Sequence, residues 1–549
     1  MASLYIRKYI SYFFLWSCIS PVLALARKVF TNKKQCFNDI WDVKDTFPSD
    51  WSLNFTKNPE WNNKNATLSL KLSTCLQYCG HGFSWYSSEE QMNRILVWLI
   101  PLLVLMGNKH LPPLAINIKI FSLLHFVGDP IDSMLSLQHT LAVRRAACLW
   151  AKAEKVDYRH ELATVVWAID SLNSDRFDSV TRTLQPHLSD NNFRHSIKYA
   201  AADIHDVTVR EITRTTLAIL TYLSTIIMTF VKASSDNNQS TTLPGNRVAL
   251  AMLCSWMIPA VLLSAAAGRF STSKSSIRSI QRLERHLSLP TGTLVPEKYR
   301  SCFHGLYPER EDGPEAASSW SGGTYVFRPS KFLLFRRSPR VSLSVLMFPS
   351  SLLIFCFALL PVIVAVIIAI NISYITPTEG FGCRSGAHLA ITTAWILSFL
   401  FTTLVTKKRI ATGKYLLTII ALKDAIVGPV ALLTISIIYA GLFNSCYCWT
   451  NGLNGILYPP LRVDINIEPK LQDNVKKGYP KLVGIGIGVQ ILIFLLMWNF
   501  VWSTEPFWGR MNICQRLKMA WWRKEGNPQR KRTESQTMLL TDSRRESIM

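Results

Sequence analysis

His125, Asp129 and Asp132 are the residues of this chain best placed to do chemistry together. On one continuous helix, positions four and seven apart share a face. A histidine and two carboxylates on such a face could bind a metal or act as acid and base. A second reading competes. Asp129 suits an N-cap, Pro130 the first helical position and Asp132 the third, a pattern like a capping box. A new helix would then start at Pro130, and the shared face would be lost.

The rest of the sequence offers little else for catalysis. Carboxylates three apart suggest magnesium-diphosphate binding in membrane prenyl-transfer enzymes. That chemistry needs a second aspartate-rich motif in another span, and none is present. His160-Glu161 lacks the second histidine of a zinc helix, because position 164 is Thr. His195, His205 and Asp206 read as a solvated face. Lys423-Asp424 reads as the cytosolic end of a span, within reach of the interface, and His388 as the outer end of another. Gln490 and Asn499 are polar, uncharged and alone. No buried carboxylate with a partner is expected. The expectation is no catalytic centre beyond the His125, Asp129, Asp132 candidates, no metal and no cofactor, and it leans away from an enzyme.

The elements that would position these residues are membrane helices. Of 549 residues, 49% are hydrophobic and only 17% charged, against about 25% in soluble chains. Arg7-Lys8, an apolar run to Leu25 and Ala24-Leu25-Ala26 describe a cleaved signal peptide over residues 1–26. A crossing helix needs about 20 apolar residues. Thr215–Val231, Val248–Gly268, Val345–Ile370, Ala387–Val405, Asp424–Phe443 and Leu482–Trp502 qualify. Residues 91–137 hold one more span plus a broken or re-entrant piece, with two short spans as the alternative. The expected fold is an all-α membrane protein of about seven transmembrane helices after a signal peptide, with helical cytosolic loops.

Charge orients it. A net charge of +24 could suggest nucleic acid, but its distribution follows the positive-inside rule instead. With the mature N-terminus outside, the inner segments hold 38 basic and 21 acidic residues; the outer ones hold 15 and 12. The short loop with Lys407-Lys408-Arg409 carries the most weight. Glycosylation acceptors Asn54, Asn65, Asn238 and Asn371 all fall outside. So do Cys36, Cys75, Cys79, Cys383, Cys446 and Cys448, an even set for disulfides in an oxidising compartment. Six cysteines allow fifteen pairings; a link from the N-terminal segment to the late loop would tie distant spans together.

Eight regions follow: signal peptide 1–26, outer cysteine-containing glycosylated segment 27–90, broken first span 91–137, cytosolic helical region 138–214, two spans in 215–268, basic cytosolic loop 269–344, four spans in 345–502 with outer loop 444–481, and basic tail 503–549. In 138–214, Leu162, Val165, Val166 and Ile169 recur at helical spacing, and a helix from about Phe193 is expected to run straight into the span at Thr215. Residues 271–287 alternate Lys274, Arg278, Arg282 and Arg285 with Ile277, Ile280, Leu283 and Leu287, a stripe suited to anionic lipid or to extending a span. The tail interleaves basic residues with Trp521 and Trp522, as an interfacial anchor does. Its Arg544-Arg545-Glu546-Ser547 makes Ser547 a phosphorylation candidate. The implied partner is the bilayer, its anionic cytosolic leaflet above all, and not nucleic acid.

The overall organisation, with the stretch His125-Phe126-Val127-Gly128-Asp129-Pro130-Ile131-Asp132, resembles uncharacterised multi-pass membrane proteins of filamentous fungi. No activity is attached to that group, so the resemblance implies a fungal source and transfers no functional residue. Three functions remain. A surface receptor, sensor or scaffold fits the layout best. A transporter or channel would need internal repeats, and none is detected. An enzyme of lipid, isoprenoid or secondary metabolism would have only His125, Asp129 and Asp132 to work with. The localisation expected is the plasma membrane or another secretory-pathway membrane.

The orientation predicts a specific labelling pattern. In a glycosylating host, Asn54→Gln and Asn65→Gln should each raise mobility by one step, and a tag after Met549 should resist external protease until the membrane is permeabilised. A tag cleaved in sealed cells would reverse the topology.

Overall fold

The structure is a computed structural model of the full chain. It describes residues 69–79, 85, 88–108, 116–172, 177–209, 212–235, 244–267, 269–270, 273–287, 351–376, 380–407, 414–437, 441, 445–450, 462–464 and 477–498. The signal peptide, Cys36, Asn54, Asn65, Asn238, most of the 269–344 loop, Ser547 and the whole tail lie outside the described residues.

The described chain is largely helical. Strand β1 (Ser69–Lys71) leads into α1 (Leu72–Cys79), then α2 (Ser88–Gly107), α3 (Ile116–Gly128), α4 (Pro130–Ala153), α5 (Arg159–Leu172), α6 (Phe177–Leu184) and α7 (Asn191–Val207). Strand β2 (Thr208–Val209), α8 (Ile212–Ser235), α9 (Pro244–Leu253), α10 (Met257–Ala267), β3 (Arg269–Phe270) and α11 (Ser273–His286) follow. After the loop come α12 (Ser351–Ile375), α13 (Cys383–Lys407), α14 (Lys414–Ile437), β4 (Arg462–Asp464) and α15 (Tyr479–Met497). Four of these helices are long and apolar enough to cross a membrane, over Ile354–Ile375, Cys383–Val405, Ile419–Ile437 and Tyr479–Met497.

Several expectations change. The span expected from Asp424 to Phe443 lies earlier, in Ile419–Ile437. Lys423 and Asp424 therefore sit inside the apolar stretch, where the sequence reading had put them at its end. The reason is local: Ile419, Ile420 and Leu422 precede them and extend the apolar run. The span expected over Val248–Gly268 is interrupted, because Cys254, Ser255 and Trp256 form a turn between α9 and α10. The helix from Phe193 does not continue into α8. Thr208 and Val209 leave it to pair antiparallel with Phe270 and Arg269. Within 91–137 there are three helices, α2, α3 and the start of α4, with Pro101 inside α2.

Two cores result. In the first, Phe126 of α3 packs at 4.8 Å on Trp256, whose ring lies 6.4 Å from Trp395 of α13. The second gathers Ala146, Ala147 and Ala151 of α4, Leu162, Val165, Val166 and Ile169 of α5, and Phe193 and Ile197 of α7. Ile280 and Leu283 of α11 are buried in that same core. Two residues of the 271–287 stripe, Ile280 and Leu283, are thus covered by protein, and Leu287 packs partly buried against the same core. Arg282 stays at the surface, 3.2 Å from Asp203. Helix α4 belongs to both cores, since Ile131, Met134 and Leu137 at its start are also buried. Its 24 residues make a rod of about 36 Å.

Covalent links close one end of the molecule. Cys75 is bonded to Cys446 and Cys383 to Cys448, and Cys79 is disulfide-bonded as well. β1 pairs antiparallel with β4, Leu70 facing Val463. The N-terminal segment and the late loop are therefore stitched together, across 371 residues for the first bridge. Cys254 and Cys356 are free thiols. Asn371 is exposed on α12, its amide donating to the Ile367 carbonyl at 2.8 Å.

One close approach sets the register of α3 against α14. A Cβ on Gly128 would lie 3.1 Å from the Gly428 nitrogen, and one on Gly428 would lie 3.0 Å from the Leu124 carbonyl oxygen. Both neighbours are backbone atoms, which cannot swing aside, so any Cβ here would have to push the two helices apart by a few tenths of an ångström. Gly428→Val should lower stability by about 2 kcal/mol, read as an earlier thermal midpoint in detergent. Gly484→Ala, with nothing within 4 Å, should leave the midpoint in place.

Candidate charge-cluster site

The close approach of α3 and α14 carries His125 onto Asp424. Nδ1 of His125 lies 2.9 Å from Asp424 Oδ2, and Nε2 lies 3.0 Å from Asp132 Oδ2. Asp129 caps α4: its φ is −142°, Pro130 takes the first turn, and Oδ1 accepts from the Asp132 backbone N–H at 3.1 Å. This is half of a capping box. In the other half, the third residue's carboxylate would return to the cap N–H. Here the Asp129 N–H donates to the His125 carbonyl at 2.7 Å instead. The Asp132 carboxylate is left for the imidazole.

Capping and clustering therefore coexist. The bend at Asp129-Pro130 was expected to separate His125 from Asp132; it brings them together. Helix α3 ends, the chain turns, and the first turn of α4 faces back toward His125.

The other half of the site comes from α13 and α14. Lys423 Nζ donates to Asp129 Oδ2, Ser398 Oγ and Thr402 Oγ1, each at 2.8 Å. It also lies 3.0 Å from Asp424 Oδ1. Ser398 and Thr402 are four residues apart, so they share one face of α13. Thr402 Oγ1 also donates to Asp129 Oδ2 at 2.9 Å. One turn earlier, Trp395 Nε1 donates to the Val127 carbonyl at 2.9 Å, which the turn at Gly128–Pro130 leaves without its helical partner. The contacts make a closed circuit: His125, Asp424, Lys423, Asp129, the Asp132 backbone and the Asp132 carboxylate.

This circuit is sealed. His125, Asp129 and Asp424 have no solvent exposure, and the Lys423 side chain retains 8%. The Asp132 side chain, at 17%, is the cluster's most open ionised group. Burial of charges costs several kcal/mol per ion, and only close pairing with further hydrogen bonds offsets it. Each charge here has a close counter-ion, although Asp424 Oδ1 has the ion pair with Lys423 and no hydrogen bond. An ionised carboxylate can only accept. With Asp132 and Asp424 ionised, both ring nitrogens of His125 must donate, and the ring is an imidazolium. Three carboxylates then face two cations.

As chemistry, the arrangement binds and holds protons. Asp129 Oδ1 accepts from the cap N–H, and Oδ2 accepts from Lys423 and Thr402. The expected absence of a buried, partnered carboxylate is overturned by Asp129 and Asp424. Lys423, Asp424, Ser398, Thr402 and Trp395 were missed by sequence reasoning. The available signal was a Lys-Asp pair after an apolar run and two hydroxyls four apart on the neighbouring helix.

Other candidates fall away from the cluster. His160, His195 and His205 are exposed. His388 is buried, its Nδ1 2.6 Å from the Arg384 carbonyl. Gln490, read as alone, donates through Nε2 to the Pro361 carbonyl at 2.8 Å and reaches Ser255 Oγ at 3.4 Å, beside the interruption between α9 and α10. The sulfurs of Cys75, Cys79 and Cys446 lie within 4.8 Å of one another. All three are oxidised in disulfides, so they offer no thiolate to a metal. No protein-family model, curated protein or solved structure matches the chain.

Removing one partner should be far costlier than trimming the rim. Asp424→Ala takes one buried carboxylate from both His125 and Lys423 and should cost about 3–5 kcal/mol, measured by unfolding in micelles. Asp132→Asn, at the more open edge, should cost clearly less. Equal losses would contradict the sealed circuit.

Proposed function

We propose that the chain is a multi-pass integral membrane protein without enzymatic chemistry, and that it acts as a proton-responsive sensor. The supporting observation is the buried His125–Asp424–Lys423–Asp129 circuit inside apolar helices. Ionisable groups at such depth are costly and usually serve function.

The seven spans of this reading are α2, α8, the α9–α10 pair and α12 to α15. Exposed apolar side chains support the first two: Ile100 and Leu103 on α2, and Leu217, Leu220, Ile227 and Met228 on α8. Soluble surfaces rarely carry such runs; hydrocarbon suits them. The signal peptide, the sequons and the charge bias support a secretory-pathway or plasma membrane with the 138–214 region in the cytosol. The basic loops would rest near the anionic leaflet.

Helix α4 supports sensing in particular. Asp129 caps it inside the charge circuit, and Ala146, Ala147 and Ala151 near its other end lie in the core of α5, α7 and α11. Loss of the His125 proton would set a nitrogen lone pair against a carboxylate. The circuit would loosen, and the rod would carry that change to the inner domain. A transport reading draws on a different observation, the interrupted α9–α10 helix beside Gln490, since broken helices line many transporter sites.

The sensor reading predicts pH-linked change in the inner domain. In nanodiscs, hydrogen exchange of residues 159–204 should rise as pH passes upward through about 9, where His125, whose burial favours the neutral form but which Asp424 and Asp132 hold protonated, loses its proton, after correction for intrinsic exchange rates. His125→Gln should abolish that dependence. A wild-type profile that is flat, or one that His125→Gln leaves intact, would sink the reading.

A further inference from the structure

We propose that Asp129 Oδ2, Asp424 Oδ1, Ser398 Oγ and Thr402 Oγ1 form a monovalent-cation site, whose place the Lys423 ammonium holds in this conformation. The inference deepens the charge-cluster reading and rests on it.

The first ground is the cage itself. Four oxygens from three separate helices converge on one nitrogen at 2.8–3.0 Å. The donor set is two carboxylates and two hydroxyls, all hard oxygen ligands, with no nitrogen or sulfur to favour zinc or copper. An alkali ion in this position would replace the ammonium without changing the local charge. A divalent ion would add one positive charge to a sealed site.

The second ground is a mismatch between the cage and its occupant. An ammonium has three N–H groups, and all three find acceptors in Asp129, Ser398 and Thr402. The fourth oxygen, Asp424 Oδ1, is buried and receives no hydrogen bond, although it lies within ion-pair distance of Nζ. A spherical cation has no such limit and would attract all four oxygens. The cage has one more ligand than a lysine can satisfy.

The occupant can also leave. Lysine is a point charge on a flexible four-carbon stem, and Lys423 keeps some exposure while the carboxylates around it have none. Contacts independent of the stem hold the other ligands: Asp129 accepts from the Asp132 N–H, and Thr402 Oγ1 lies at hydrogen-bond distance from Asp129 and the Ser398 carbonyl. The exchange is ion for ion, with no bond made or broken.

The test uses the full-length protein in nanodiscs at fixed pH and ionic strength. Thermal midpoints of wild type and Lys423→Met are compared in potassium, sodium and N-methyl-D-glucamine chloride. The variant should be destabilised in the bulky organic cation and recover by several degrees, saturably, in potassium or sodium. Wild type should not shift. Adding Ser398→Ala and Thr402→Val to Lys423→Met should remove the recovery. A variant indifferent to cation identity overturns the proposal, as does a recovery that survives loss of both hydroxyls. Should Lys423→Met yield no folded protein, Lys423→Ala is prepared in methylammonium chloride. Folded protein in that salt supports the cage; none in methylammonium, ammonium, potassium or sodium overturns it. Because the pH response of wild type is a separate measurement, failure here leaves the sensor reading to stand or fall on its own.

Discussion

The Lys423 ammonium among the Asp129, Asp424, Ser398 and Thr402 oxygens is the contact on which this architecture turns. It is the point where α4, α13 and α14 meet, and His125 adds α3 to the same circuit. In an apolar interior an ion without its counter-ion costs several kcal/mol. Each of these helices is therefore held to the others by the penalty of separation. Apolar packing alone is weaker at this task in a bilayer, because lipid tails satisfy apolar side chains equally well.

The surrounding elements serve that contact. Gly128 and Gly428 let the α3 and α14 backbones touch, which sets the height of Asp424 beside His125. The Asp129-Pro130 bend ends one helix and starts another, freeing the Asp132 carboxylate to face back. Trp395, Phe126 and Trp256 pack on one another, all three buried, and Trp395 ties α13 to the end of α3 through the Val127 carbonyl. At the other end, the Cys75–Cys446 and Cys383–Cys448 bridges fasten α1 and α13 to the late loop. Charge pairing and covalent links thus act on different parts of α13: a disulfide at Cys383, and hydroxyl contacts from Ser398 to Thr402.

Much of the local structure was legible in the sequence. The spacing Asp129-Pro130-x-Asp132 announced an N-cap, and Leu162, Val165, Val166 and Ile169 announced a buried helix face. Both readings rest on contacts between near neighbours in the chain. The cluster was not legible, because Lys423 and Asp424 lie nearly three hundred residues after His125 and Asp129. Charges are normally assigned to the end of an apolar run, since an unpaired ion inside is prohibitive. Only the fold reveals that these two are paired. Ile280 and Leu283 of α11 make a related point: amphipathicity states that a helix has an apolar face, not whether lipid or protein covers it.

A double-mutant cycle on Lys423→Met and Asp129→Asn in nanodiscs bears most directly on the claim that this ion pair organises the bundle. The account predicts that each single change is strongly destabilising and that the double variant regains much of the loss, with a coupling energy of about 2 kcal/mol or more. Losses that simply add would mean the two charges act independently, and the central contact would be incidental to the fold.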